Sequence, residues 1–406
     1  MPQILFRQVR WLDPYDGTDR VMDLGWDTER AERTVSSAPD RIIEGHGQLV
    51  VGPGLTDLYA RSGEPGYEER ETLSSLAAAA RAGGYSRVTL LPSTTPPVDD
   101  PAQVDFLRKH FPAMGVEPVV LGAISHGLAG EQLAEVGYLA EAGVAGFTDD
   151  RPIQNWMLLR RFLDYVRVLD KPVLLWPCLS ALAGGVALEG RWSVRLGLSG
   201  IPVQAQTAAL AMMLELVTLS GTPVHFMRLS TARSVDLLRQ AKASGLPVSA
   251  SVTIHHLIHS SPELESYDPC LRFDPPLGNP EDQVALIEGV ADGTIDAVAS
   301  DHTPWTYEEK HLPFAQAPAG SIALELVLPL IWQLVADGRI SALRAWEVLS
   351  TGPEQVLRLK TQQRTALVMF DPNCRWEVNQ QSLHSRSLAT AWLGKTVQGK
   401  VLETFV

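Results

Sequence analysis

The chain has 406 residues, 45% of them apolar and 20% charged, enough for a large packed core and unlike a disordered chain. Acidic groups outnumber basic ones 47 to 34, and a formal charge of −13 repels phosphate backbones and anionic lipid, which argues against a nucleic-acid or membrane-surface protein. Three scattered cysteines (Cys178, Cys270, Cys374) fit neither a disulfide framework nor a zinc ribbon, Arg7, Arg10 and Asp13 interrupt any leader-like run, and the most apolar stretch, Ser321 to Ala336, is too short to span a bilayer, so a soluble cytoplasmic protein is expected.

In chain order, Met1 to Gln48 is turn-rich and strand-like, with Trp11 among polar neighbours. Eight short strand candidates follow at Leu49–Leu58, Arg87–Leu91, Pro118–Gly122, Gly143–Phe147, Pro172–Leu175, Pro223–Met227, Pro247–Val252 and Ile295–Ala299. Most are apolar on both faces and several are introduced by proline, which is how buried parallel strands read. Helical patterns lie between them. Thr231–Ser244 spaces Val235, Leu238 and Ala241 by three and stops at Gly245. Asn279 followed by Pro280, Glu281 and Asp282 starts another helix, which ends at Gly289–Gly293. From about Thr361 to Val406 the chain is again turn-rich, with Trp376 and Trp392.

Eight strands alternating with helices predict an α/β fold, a (β/α)8 TIM barrel over residues 52–360. Residues 1–51 and 361–406 are expected to join into one small composite β-domain. A doubly wound open sheet is the competitor, but no Gly-x-Gly-x-x-Gly turn follows the first strand. The functional face of the barrel would lie at the C-terminal ends of its strands. Two long loops gather there, Pro177 to about Val203 and His302 to about Gly320, each marking function or a partner surface, with disorder as the alternative.

Residues 53–96, PGLTDLYARSGEPGYEERETLSSLAAAARAGGYSRVTLLPSTTP, together with GFTDDRPI, LEGRWSVRLGLSGIP, RLSTARSV, SVTIHHL, FDPPLGNPEDQ, DGTIDAVASDHTPW and LVMFDPNCRWEV, resemble the dihydroorotase branch of the amidohydrolase superfamily. The resemblance runs in order along nearly the whole chain. It implies a barrel with a composite β-domain and a metal-dependent hydrolysis of cyclic amides.

The chain departs from the family where that chemistry resides. At the positions of the metal-binding His-x-His pair it has Tyr59 and Arg61, and the two further metal histidines match Trp176 and Arg228. The substrate-carboxylate arginine matches Gly63, the asparagine after strand two matches Ser93, and Asn-Pro-Pro-Leu-Arg reads Asp274, Pro275, Pro276, Leu277, Gly278. The second histidine of Asp-His-Ala-Pro-His is Trp305. Asp301, the family's metal ligand and general base, is retained, and either Asp149 or Asp150 matches its bridging carboxylate.

These replacements act as a set. A guanidinium is always protonated and cannot coordinate a metal. Without metal, Asp301 and the Asp149/Asp150 pair would be close like charges, and Arg61 and Arg228 would neutralise them through charge-assisted hydrogen bonds, with Trp176 filling part of the vacated pocket. No zinc or other cofactor is therefore expected.

Other residues carry two readings each. His255 and His259 have a chelating spacing on a helix but no third ligand nearby, so packing or loop hydrogen bonding is expected for them and for His256. His302 orients its loop or acts in catalysis, and Asp301 is a structural acid or a catalytic one. Asp149–Asp150 is a turn pair or part of the site, Tyr59 and Trp176 are packing residues or binding platforms, and Cys178 lacks a paired histidine.

The resemblance implies a catalytically inactive dihydroorotase-like protein, a structural partner of aspartate carbamoyltransferase in a larger assembly. An active cyclic-amide hydrolase with an atypical zinc site is the alternative, and a sensor binding a small anion through Arg61 and Arg228 is a third.

Overall fold

The computed structural model describes residues 3–27, 32–34, 39–359 and 366–405. The expected boundary at 360/361 lies outside them. The amino-terminal strands are β1 (Gln3–Asp13), β2 (Thr18–Asp27), β3 (Glu32–Thr34), β4 (Arg41–Glu44) and β5 (Val50–Pro53). The barrel follows, with β6 (Leu55–Ala60), α1 (Leu73–Ala82), β7 (Tyr85–Leu90), α2 (Pro101–His110), β8 (Glu117–Gly122), α3 (Val136–Glu141), β9 (Gly146–Phe147) and α4 (Trp156–Val166). After β10 (Val173–Leu175) an excursion holds β11 (Ala187–Leu188), α5 (Arg191–Leu196) and β12 (Gly200–Ile201) before α6 (Gln204–Ser220). Then come β13 (Val224–Phe226), α7 (Ala232–Ala243), β14 (Val248–Thr253), α8 (Ile254–Ile258), α9 (Pro280–Ala291) and β15 (Ala297–Ala299). Four helices, α10 (Tyr307–Lys310), α11 (Val327–Ala336), α12 (Ala342–Glu347) and α13 (Thr351–Val356), lead to β16 (Leu367–Glu377) and β17 (Thr396–Phe405).

Strands β6 to β10 and β13 to β15 form one eight-stranded parallel sheet. It closes between its first and last strands. Ala60 bridges His302, and Asp57 in β6 accepts hydrogen bonds from Ser300 N and Oγ, both 2.8 Å, just beyond β15. Leu58, Val119, Leu121, Leu174, Met227, Ala297 and Ala299 pack together inside, while Val88, Val120, Val173 and Phe226 join the larger core beneath the helices. That inward–outward alternation is the pleat of a strand with both faces covered. The helix caps follow the sequence signals: Thr231 Oγ1 accepts from Ser234 N to open α7, and Asp282 accepts from Asn279 N to open α9.

The terminal segments meet in one seven-stranded sheet ordered β17-β16-β5-β1-β2-β3, with β4 on β1. Its core is Phe6, Trp11, Trp26, Val51, Leu367 and Phe405. The run Leu49–Leu58, expected as a single barrel strand, divides at Gly54 into β5 of this sheet and β6 of the barrel. A Cβ at Gly54 would lie 2.5 Å from Ser86 Oγ and 2.9 Å from Ala366 Cβ, so only glycine lets the chain change sheets there. The two long loops also differ from expectation, since they hold the short elements β11, α5 and β12 and the helix α10. Among the described residues no helix is long and apolar enough to cross a membrane.

Candidate functional site: an arginine–carboxylate cluster at the barrel mouth

Three alternate barrel strands end in residues with left-handed backbone: Asp150 after β9 (φ 52°), Arg228 after β13 (φ 56°) and Asp301 after β15 (φ 48°). Side chains other than glycine adopt this region at a cost, so the fold holds these three against local preference, as functional sites do. The turns bring the side chains together over the barrel axis.

Arg228 is the hub. Its Nε donates to Asp301 Oδ2 at 3.0 Å and its Nη2 to Asp301 Oδ1 at 2.7 Å, a fork-on-fork pair. The same Nη2 lies 2.8 Å from Asp150 Oδ1, a coulombic contact without hydrogen-bond alignment. Arg61 closes the cluster from the solvent side, with Nε and Nη2 donating to Asp150 Oδ2 at 2.9 and 2.7 Å, and Ser93 Oγ donates to the same oxygen at 2.9 Å. Burial works against charge on Asp150, but Arg61 and Arg228 outweigh it and hold the carboxyl below its ordinary range. Burial likewise opposes the charge on Arg228, and Asp301 and Asp150 more than compensate, raising its pKa further.

Tyr59 and Trp176 flank this cation. The Arg228 guanidinium carbon sits 5.4 Å from the Tyr59 ring centre and 4.9 Å from that of Trp176, within cation–π range. Tyr59 Oη is held by Ser251 Oγ at 3.1 Å, which in turn meets His225 Nε2 at 2.8 Å. Burial lowers the His225 pKa to about 3, so it stands neutral. The residues at the four expected metal-histidine positions, Tyr59, Arg61, Trp176 and Arg228, thus do converge, as one cation-centred cluster.

Asp149 and Asp150 part company. Asp149 turns away and accepts from Ile124 N at 2.8 Å, Ser125 N at 2.9 Å and Ser125 Oγ, tying β9 to the turn after β8. Only Asp150 enters the cluster.

The positions of the family's substrate-carboxylate arginines are closed. A Cβ at Gly63 would meet the carbonyl oxygens of Tyr67 and Glu71 at 2.3 and 2.4 Å, and one at Gly278 would meet Asp282 Cβ at 2.7 Å and Ser230 O at 2.8 Å. Neighbouring backbone, and at Gly278 the Asp282 side chain as well, occupies the space that longer side chains would need. Above Gly63, Arg70 lies between Tyr67 (4.0 Å) and Trp305 (4.4 Å), and its Nε and Nη2 donate to Glu309, clasping the loop after β6 to the one after β15.

His302 is engaged elsewhere. Its Nδ1 accepts from Ala323 N (3.3 Å) and Leu324 N (3.4 Å), which leaves the proton on Nε2 to donate to buried Glu71 at 3.2 Å. Glu71 also accepts from Ser385 Oγ and from Arg386 N at 3.0 Å. His255 stacks on Phe273 at 4.3 Å, His256 joins Thr253 to the Pro275 carbonyl, and His259 Nδ1 meets Glu263 at 2.6 Å, so these three are divided among separate partners. A largely apolar cavity of about 180 Å³ adjoins the cluster, lined by Trp176, Cys178, Gln206, Thr231 and Asp274 among others. Burial pushes the Cys178 thiol up to about 11, which leaves it protonated and a poor nucleophile.

The residues present do not fit the zinc that the resemblance implies. No group of three His, Cys, Asp or Glu side chains among the described residues could hold a metal, and both cluster carboxylates are already gripped by guanidiniums. The sequence did not reveal Ser93 as a donor to Asp150, nor the Asp57–Ser300 closure, the His225–Ser251–Tyr59 chain or the Arg70 clasp. Hydrogen bonds between residues far apart in the chain leave no mark on periodicity.

A model of the dihydro-orotase-like family matches residues 47–233. A "Probable dihydroorotase-like protein" of Synechocystis sp. is 41% identical over 435 residues, covering 97% of this chain and 98% of that protein. A "Dihydroorotase" of Pelotomaculum thermopropionicum is 36% identical, covering 93% of this chain and 90% of that one. Among solved structures, an L-hydantoinase from Arthrobacter aurescens superposes with a TM-score of 0.85 at 19% identity, covering 99% of this chain and 94% of that one, a likeness of fold.

Proposed function

This chain belongs to the dihydroorotase-like family, and from that premise we propose that it is a non-catalytic member, serving as a structural partner of aspartate carbamoyltransferase in pyrimidine synthesis. One observation carries the loss of catalysis: Arg228, with its Nε and Nη2, occupies both oxygens of Asp301, the acid that would otherwise bind metal and accept a proton. Attacking water then keeps a pKa near ~15.7 instead of falling towards ~7. Neither His302 nor Cys178 supplies the missing activation, since His302 donates to Glu71 and the Cys178 thiol stays protonated. Closure at Gly63 and Gly278 supports the same reading, because a substrate carboxylate would find no arginine there. The choice of partner rests on the resemblance alone, as metal-less members of the family resemble the transferase's structural companion.

Two measurements test this. Purified protein supplied with zinc or manganese is expected to open no dihydroorotate ring above background. It is also expected to co-sediment with the aspartate carbamoyltransferase of its own organism. Metal-dependent turnover abolished by Asp301→Ala would establish the active cyclic-amide hydrolase instead.

A second reading has one observation in its favour. Arg228 Nη1 is buried without a hydrogen-bond partner, and the Arg61 side chain keeps 30% of its surface exposed beside it. A small carboxylate at the barrel mouth would satisfy such donors. A thermal shift with carbamoyl aspartate that disappears in Arg61→Ala would support this sensor role.

A further inference from the structure

Between α1, β17 and the loop after β16 runs a groove of about 490 Å³ that shares no residue with the cluster at the barrel mouth. Its size falls within the roughly 300–1,000 Å³ of small-molecule sites. β17 is the outermost strand of the terminal sheet, so consecutive residues from Lys400 to Thr404 all border the groove.

Five charged residues line it, and their pairing leaves an excess of cation. Glu325 is spent on the loop: its Oε1 accepts from His384 N and Nδ1 at 2.8 and 2.9 Å, and its Oε2 from Ser385 N at 3.2 Å. Glu403 is held by Arg41 at 2.9 Å. Arg81 gives only Nη1, to the Met114 carbonyl at 3.0 Å, and has no carboxylate partner among the described residues. Lys400 has none there either, and its Nζ meets the Trp376 ring at 5.6 Å. Asp371, opposite Lys400 in the β16–β17 ladder, accepts from Asn373 N at 2.9 Å instead. His384 is the third cation. The Glu325 carboxylate favours its imidazolium, Lys400 is near enough to oppose it, and Nε2 is left without a partner among the described residues. In a chain bearing −13, such a convergence of unspent donors calls for an anion from outside.

The donors also say which anion. The Arg81 fork matches two oxygens at once, Lys400 is a point charge, and the His384 Nε2–H gives a third direction. Three donors on three elements suit the three terminal oxygens of a phosphate ester, whereas a carboxylate has two. The remaining wall is apolar, with Ala78 and Ala82 one turn apart on α1, Met114, Val401 and Leu402. Side chains as small as these alanines leave room for a body attached to the phosphate.

We propose that this groove binds a small phosphomonoester, its phosphate held by Arg81, His384 and Lys400 and its apolar or planar body laid against the small residues of α1.

Isothermal titration of the full chain with phenyl phosphate, inorganic phosphate and benzoate tests this. Phenyl phosphate is expected to bind at one site, more tightly than inorganic phosphate, which lacks the body, or benzoate, which lacks the phosphate. Arg81→Glu and Lys400→Glu should each weaken it by roughly tenfold or more. Circular dichroism melts separate a lost site from a lost fold, and Ala82→Glu, which sets a carboxylate in the same wall, serves if either reversal fails to fold. Arg61→Ala should bind phenyl phosphate as the parent does. Vesicles carrying phosphatidic acid should not capture the chain, which distinguishes a soluble ester from a lipid headgroup. A parent that binds none of the three probes, that binds benzoate or bare phosphate as tightly as the ester, or that is indifferent to the reversals would overturn the proposal. So would binding lost in Arg61→Ala, which would place the anion at the barrel mouth, or vesicle capture lost in Lys400→Glu. Neither ring opening nor transferase binding enters these readouts, so their failure leaves the functional reading standing.

Discussion

Arg228 and Asp301 meet through a two-bond ion pair while both of their backbones sit in the left-handed region, at φ 56° and 48°. The ion pair and the backbone geometry depend on each other. The turns deliver the side chains, and the paired charges repay the strained turns.

Arg228→Ala would strip Asp301 of its counter-charge and leave Asp150 to Arg61 and Ser93 alone, so we expect a loss of about 3–5 kcal/mol. Arg61→Ala should cost about 1 kcal/mol, because Ser93 and Arg228 still attend Asp150. Urea unfolding of the two variants checks the order. Equal losses would show that Arg228 is not the hub.

Asp57 gives stability a pH dependence. Burial, opposed by the two Ser300 hydrogen bonds and aided by Asp301, raises its pKa to about 7 in the folded protein. A raised folded pKa means that the contribution is full below the unfolded value near ~4 and is lost as pH climbs towards 7. Melting temperature should therefore fall across that window, and Asp57→Asn should flatten the fall. An unchanged slope in that variant would assign the effect to another group.

Gly63→Ala should destabilise the chain by about 1–3 kcal/mol, since its Cβ would press on the Tyr67 and Glu71 carbonyls. Gly184→Ala, where a Cβ meets nothing within 4 Å, is the control and should be nearly neutral. Thermal melts distinguish the two.

Arg70→Ala should release the segment from His302 to Gly320 without unfolding the barrel. Faster hydrogen exchange and easier proteolysis there are expected, with global stability reduced by about 1 kcal/mol. Unchanged exchange would mean that the other ties of the segment, among them Trp305 N to Ser387 Oγ and Lys310 Nζ to the Pro269 carbonyl, hold it without Arg70.

The alternation of strands and helices made the barrel legible, because burial on both faces imposes unbroken apolar runs that any window of sequence displays. The positions of Arg61, Arg228 and Asp301 were legible through collinear motifs, and their opposite charges predicted attraction. What the motifs left open was geometry. Asp149 and Asp150 are adjacent carboxylates with identical chemistry, and only the left-handed turn at Asp150 sends one to the arginines and the other to Ser125. The division at Gly54 was hidden for a related reason, since an apolar run looks the same whether it serves one sheet or two. Tyr59 and Trp176 read as packing residues. Their faces do pack, but on a cation that arrives from a different strand.

The segment from His384 to Ala389 takes hold of the barrel mouth at several places. His384 N donates to Glu325, Ser385 and Arg386 reach Glu71, Ser387 Oγ donates to Trp305 O, and Ala389 O accepts from Ile322 N. Shortening the protein from its far end would thus pull out a keystone rather than trim an appendage. A fusion or affinity handle placed there should be spaced beyond Phe405, where the last strand has already been laid down.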